Sequence, residues 1–139
     1  MTASLAPMRP AWPAAISVPL RTVYGLYAAL VFLAVALISL VGVLLLPTLA
    51  ARRGTARVAA RTFFLLAGMP LRVRGAGNLP RGQCVVVANH ASYLDGVVMA
   101  AALPPRFGFV IKREVNDVPF AGLLLRRLGS EFVDRFNRH

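Results

Sequence analysis

The stretch CVVVANHASYLDGVVMAAALPP, residues 84–105, decides how the chain folds. Its first part, CVVVAN, is a continuous apolar run, the pattern of a strand buried on both faces of a parallel sheet. SYLDGVVMAAAL then reads as a helix from Ser92 to Leu103, stopped by Pro104-Pro105. The turn between them carries Asn89 and His90, and it has two readings. Ser92 and Asp95 have the spacing of a capping box, and Asn and His are common at such turns for hydrogen-bonding reasons alone. Alternatively, a loop at the C-terminal end of a parallel strand faces the crevice where open α/β sheets bind ligands. There Asp95 is placed to accept a hydrogen bond from one imidazole nitrogen of His90, leaving the other free to take a proton. Backbone N–H groups at the start of the helix would then stabilise an oxyanion. The chain contains no G-x-S-x-G elbow, and Ser92 serves equally well as a cap. On this second reading the nucleophile comes from the substrate, for instance an alcohol.

Downstream the α/β texture continues. FGFVIK (107–112) predicts a strand, PFAGLLLRRLG (119–129) a helix opened by Pro119 and closed by Gly129, and EFVD (131–134) a third strand. Strands alternating with helices argue for parallel pairing. Upstream, LRVRG (71–75) alternates like a short strand and AGNLPRG (76–82) is dense in turn formers. Three strands and two helices make a thin core, so the sequence reads as an incomplete domain.

The 139 residues are 58% hydrophobic, above the roughly 45–50% of an ordinary soluble domain. Much of the excess lies between Thr22 and Ala51, where no residue is charged. Tyr24 to Leu46, as a helix, would reach about 34 Å, enough to span a hydrocarbon core of about 30 Å. A cleaved signal sequence is the rival, but its apolar core is usually only about 7–15 residues. Arg52, Arg53, Arg57 and Arg61 follow closely, which places the C-terminal part in the cytoplasm by the positive-inside rule. Trp12, Tyr24 and Tyr27 are then expected at the opposite interface. The organisation predicted is an N-terminal arm (1–20), a membrane anchor (21–71) and a partial α/β domain (72–139). The anchor comprises a spanning helix at about 24–46 and an interfacial or re-entrant segment at about 57–70.

The net charge of +11 has no recognition motif or interleaved aromatics to go with it, which argues against nucleic acid. Arg53, Arg57 and Arg61 recur every four residues and so share one helix face, either solvated or set against anionic lipid headgroups. Cys84 is the single cysteine, so neither an internal disulfide nor a cysteine-based metal site is expected.

Residues 71–135 carry a more specific pattern. LRVRGAGNLPRGQCVVVANHASYLDGVVM resembles the glycerolipid acyltransferases, specifically the 1-acylglycerol-3-phosphate O-acyltransferase family, whose hallmark is Asn-His, four residues, then Asp: here Asn89, His90 and Asp95. KREVNDVPFAGLLLRRLGSEFVDR is similar to that family's second block, with Lys112, Glu114, Pro119 and Gly122, then Gly129, Phe132, Val133, Asp134 and Arg135. The resemblance implies an α/β fold class: an N-terminal membrane helix, then the first part of an acyltransferase-like αβ domain. It implies acyl transfer from acyl-CoA or acyl-acyl carrier protein to lysophosphatidic acid, with His90 as general base and Asp95 as its orienter. No metal or other cofactor is implied. Arg135 would hold the acceptor phosphate, since planar guanidinium donors match phosphate oxygens; Lys112, Gly129 and Asn89 are the further expected substrate contacts. Lys112 fits a phosphate contact and a plain strand-end charge equally. The implied location is the inner membrane, catalytic part on the cytoplasmic side. A third, Glu-Gly-Thr-Arg-like block of the family is not in these 139 residues, so the chain alone is expected to be inactive. The alternative is a truncated, non-catalytic, membrane-anchored lipid binder.

Overall fold

A computed structural model of the chain describes residues 14–89, 92 and 94–134. Most of Trp12's arm (1–13) therefore lies outside the described residues, as do His90 and Arg135. Two long helices come first, α1 (Ala14–Leu45) and α2 (Leu49–Leu66). The expected arm to residue 20 is corrected: α1 already begins at Ala14 and includes Pro19. In the second turn of a helix, proline removes one backbone bond and crowds the carbonyl four residues back, a cost that the long apolar run beyond it outweighs.

The two helices form an antiparallel hairpin, pinned at both ends and in the middle. At the turn, Thr48 caps α2 by accepting from the Ala51 N–H at 3.3 Å, and the Arg52 Nε donates to the Leu46 carbonyl at 2.8 Å. A Cβ on Gly42 would lie 3.0 Å from the Thr55 methyl, so the helices approach closely there. Phe32 meets Phe63 edge to face, with centroids 5.2 Å apart. At the far end, the hydroxyls of Tyr24 and Tyr27 donate to the carbonyls of Ala67 and Leu66, both at 2.9 Å. The two phenols thus close the C-terminus of α2. Helix α2 also starts well before the expected apolar segment, because Arg52, Arg53 and Arg57 lie inside it.

Within α1, Val18–Leu45 is long and apolar enough to cross a membrane, and only 17% of its most apolar stretch is buried. Its covered side faces α2. The other side carries a row of exposed residues that includes Leu30, Ile38 and Leu45.

The core lies where α1, α2 and α3 (Asp95–Ala102) meet, with Val31 and Val35 of α1 packed against it. Ala60, Phe63, Phe64 and Ala67 pack with Ala101 of α3, and Val97, Val98 and Ala100 close around them. Beyond α3 comes a strand–helix–strand unit: β1 (Val110–Lys112), a 3-10 turn (Arg113–Asp117), α4 (Ala121–Arg127) and β2 (Glu131–Val133). The strands pair in parallel with Ile111 opposite Phe132, as strand–helix alternation predicts.

Two expected strands are corrected. Residues 84–89 form no strand, with Val85 and Val87 each 89% exposed; residues 71–75 form no strand either. An apolar run signals a wish for burial, but a strand also needs a ladder partner for its N–H and C=O groups. Among the described residues the only ladder joins β1 and β2. The described architecture is mostly helical around a two-stranded parallel sheet.

Candidate functional site

Helix α3 opens at Asp95, three residues later than its sequence suggests, because Ser92 to Asp95 first closes a turn. The Asp95 N–H donates to the Ser92 carbonyl at 3.1 Å, and the Leu94 N–H donates to Ser92 Oγ at 3.1 Å. The Ser92 N–H donates to Asp95 Oδ2 at 2.8 Å. This last bond has the spacing of the acidic half of a capping box, but it closes the turn before α3, whose N-cap is Leu94 with no side-chain cap bond. It turns the half-buried carboxylate back onto the Ser92 amide; His90 lies outside the described residues. Asn89 ends the apolar run of residues 84–89 and is exposed. Arg106 secures the entrance to that run: its guanidinium donates to the Arg81 carbonyl at 2.7 Å and to the Pro80 carbonyl, and lies over the Phe107 ring.

Lys112 sits at the C-terminal end of β1, the end of a parallel sheet where ligands gather. Its ammonium pairs with Glu114 at 2.8 Å, and the adjacent Arg113 pairs with Asp134 just past β2 at 3.0 Å. Register sets Lys112 beside Val133, so the chain leading to Arg135 leaves from the same edge. Gly129 does not join them. It precedes β2, at the opposite end of the ladder, and terminates α4. With φ +66° it donates to the Arg126 carbonyl while the Ser130 N–H donates to the Leu125 carbonyl, the paired bonds of a Schellman ending that favours glycine. A Cβ there would also lie 3.1 Å from the Arg53 guanidinium.

The arginine stripe of α2 is the feature sequence reasoning placed wrongly. Arg53 donates to the Leu128, Gly129 and Arg106 carbonyls at 2.8, 3.2 and 3.2 Å. The Nε groups of Arg57 and Arg61 both donate to the Ala101 carbonyl, at 3.4 and 2.9 Å. The stripe is neither simply solvated nor simply laid against lipid: it binds the C-terminal ends of α3 and α4, where cations are favoured by the helix dipole. The available signal was Pro104-Pro105, which deprives the end of α3 of local N–H donors. Among the described residues, no three His, Cys, Asp or Glu side chains gather as metal ligands.

A family model described as acyltransferase matches residues 70–139. The chain is 33% identical over 125 residues to 1-acyl-sn-glycerol-3-phosphate acyltransferase of Saccharomyces cerevisiae, covering 85% of this chain and 41% of that protein. It is 38% identical to the lyso-ornithine lipid O-acyltransferase of Pseudomonas aeruginosa over 51% of this chain and 27% of that one. With the 1-acyl-sn-glycerol-3-phosphate acyltransferase of Helicobacter pylori it shares 32% identity, over 58% and 33% respectively. The chain thus spans less than half the length of these relatives. No solved structure matches it.

Proposed function

Because this chain belongs to the acyltransferase family, whose curated members include 1-acyl-sn-glycerol-3-phosphate acyltransferases, we propose that the protein carrying it acylates lysophosphatidic acid. The donor is a thioester, acyl-CoA or acyl-acyl carrier protein, and the product is phosphatidic acid. His90 removes the proton of the acceptor hydroxyl as its oxygen attacks the thioester carbonyl. The tetrahedral intermediate collapses, the carbon–sulfur bond breaks, and the thiolate recovers the proton from the imidazolium. Asp95 steadies that imidazolium. Arg135 and Lys112 meet the acceptor phosphate at the C-terminal edge of β1 and β2, and Asn89 lines the approach. Gly129 acts at one remove, by ending α4. The observation that carries this reading is the Asn-His, four residues, Asp pattern of residues 89–95 inside the stretch that matches the acyltransferase family, with the Asp95 carboxylate held at the mouth of α3 by the Ser92 N–H.

That same bond favours a second reading, in which Asp95 is a helix cap and nothing more. The two are not exclusive, since a carboxylate has about four acceptor positions. Asp95→Asn separates them. Asparagine still accepts from the Ser92 N–H but supplies no negative charge to an imidazolium. Unfolding free energy should stay within about 1 kcal/mol of the parent, while acyl transfer per folded molecule falls at least about tenfold. Lost stability with undiminished transfer would leave only the cap. Running the assay with lysophosphatidic acid and with a lyso-ornithine lipid as rival acceptors tests the substrate; preference for the latter would reassign the acceptor while keeping the chemistry.

The proposed location is the inner membrane, with the catalytic part on the cytoplasmic side. Support comes from α1, uncharged from Thr22 to its end, and from the arginines that follow it. The protein should stay in the membrane pellet through high-salt and alkaline washing, since neither extracts an apolar helix buried in lipid. Release by salt alone would overturn membrane burial of α1. Deleting α1 is a poor control, because it also strips Phe63 of its partner Phe32.

A further inference from the structure

Helix α3 ends against two prolines. In a continuing helix the carbonyls of Ala100 and Ala101 would accept from the N–H groups of residues 104 and 105, but proline has none. Ala101 is 0% exposed, so water cannot take their place. Arg57 and Arg61, two successive turns of α2, deliver donors to that very oxygen. The apolar contacts of Val97, Val98 and Ala100 with α2 decide which face of α3 is covered, but apolar contact is non-directional and permits sliding along the helix axis. The guanidinium bonds are directional, and α2 is itself pinned to α1 at both ends. The other end of α3 is Asp95, six residues and so about 9 Å along the axis from Ala101.

We propose that Arg57 and Arg61 are positioning residues for acyl transfer: by holding the Ala101 carbonyl they fix α3 along its axis, and with it Asp95 at the opposite end of that helix. This rests on the acyltransferase reading above. The stripe's contacts with lipid, if any, are made by what these guanidiniums have left over, not by their Nε donors.

The test uses the whole protein that carries this chain. Methionine keeps an arginine-like apolar stem and offers no donor, so Arg57→Met/Arg61→Met removes the tether with little loss of packing. Lysine at both positions restores a cationic donor. Transfer from acyl-CoA to lysophosphatidic acid is measured in detergent, normalised to folded protein, together with amide hydrogen exchange across Gly96–Ala102. In the methionine pair kcat should fall about tenfold, because displacements on the order of 1 Å from productive geometry cost up to about a hundredfold. KM for both substrates should stay within about twofold. Exchange in α3 should quicken, and the lysine pair should recover most of both effects. Unchanged kcat per folded molecule, a raised KM with kcat intact, or a lysine pair no better than methionine would each overturn the proposal. Should the parent protein transfer no acyl group at all, the acyltransferase reading fails by itself. Exchange in α3 then decides the tether: unchanged rates overturn it, and faster rates uphold it.

Discussion

His90→Ala should lower acyl transfer at least ~100-fold and leave membrane association and helical content unchanged. General-base contributions run about 10²–10⁴, and the sequence offers no second histidine near the turn: the other is the terminal His139. Alanine also removes the one group in the segment Val85–Val97 able to accept a proton near neutral pH and return it to the thiolate. Turnover is best followed as release of free thiol from acyl-CoA, with phosphatidic acid quantified alongside so that thioester hydrolysis is not mistaken for transfer. A folded His90→Ala variant with near-parental turnover would remove His90 from the mechanism.

Gly122→Ala should cost more stability than any other single methyl addition among the described residues. Gly122 is buried at the start of α4, where its N–H donates to the Val118 carbonyl at 3.0 Å. A Cβ there would overlap the Asn116 carbonyl oxygen and lie 2.8 Å from its carbon. The obstacle is backbone, so no side-chain rotation relieves it. Asn116 cannot retreat freely either, because its side chain accepts from Arg126 Nε at 2.7 Å across the same turn. Overpacking of this kind costs about 1–3 kcal/mol and occasionally more; the upper end is expected here, out of a total of about 5–15 kcal/mol for a typical domain. Denaturant melts would read it directly. As a comparison, Gly96→Ala meets nothing within 4 Å and, inside α3, should be neutral or mildly stabilising. A Gly122→Ala midpoint equal to the parent's would mean that α4 and the 3-10 turn are not packed this closely.

Features set by neighbouring residues were legible in the sequence. Pro119 and Gly129 bracket α4 to within two residues, and the parallel pairing of β1 with β2 follows from strand–helix–strand order. The capping contact of Asp95 on the Ser92 N–H is likewise written in a four-residue spacing. What required distant partners was not legible. Residues 84–89 carry the composition of a buried strand, yet composition says nothing of whether another strand lies alongside. Arg53, Arg57 and Arg61 were counted by charge, as groups seeking water or phosphate, although a backbone carbonyl at a helix end competes for the same donors. Their partners lie 40 to 76 positions away, beyond any local pattern. Gly129 and Lys112 likewise fall in one sequence block, but β2 runs parallel to β1 and sets them at opposite ends of the ladder.

The two prolines at 104 and 105 also bear on descent. Proline at 105 makes the Ala101 oxygen dependent on a donor from elsewhere in the chain, so while that proline persists, loss of both arginines leaves a buried acceptor without a partner. A lineage that exchanges Pro105 for a residue with an amide hydrogen regains a local donor, and selection on positions 57 and 61 relaxes. Substitutions at 105 should therefore precede, rather than follow, the joint disappearance of the two guanidiniums among relatives. Order of loss, and not mere co-occurrence, is the historical trace such a dependence leaves.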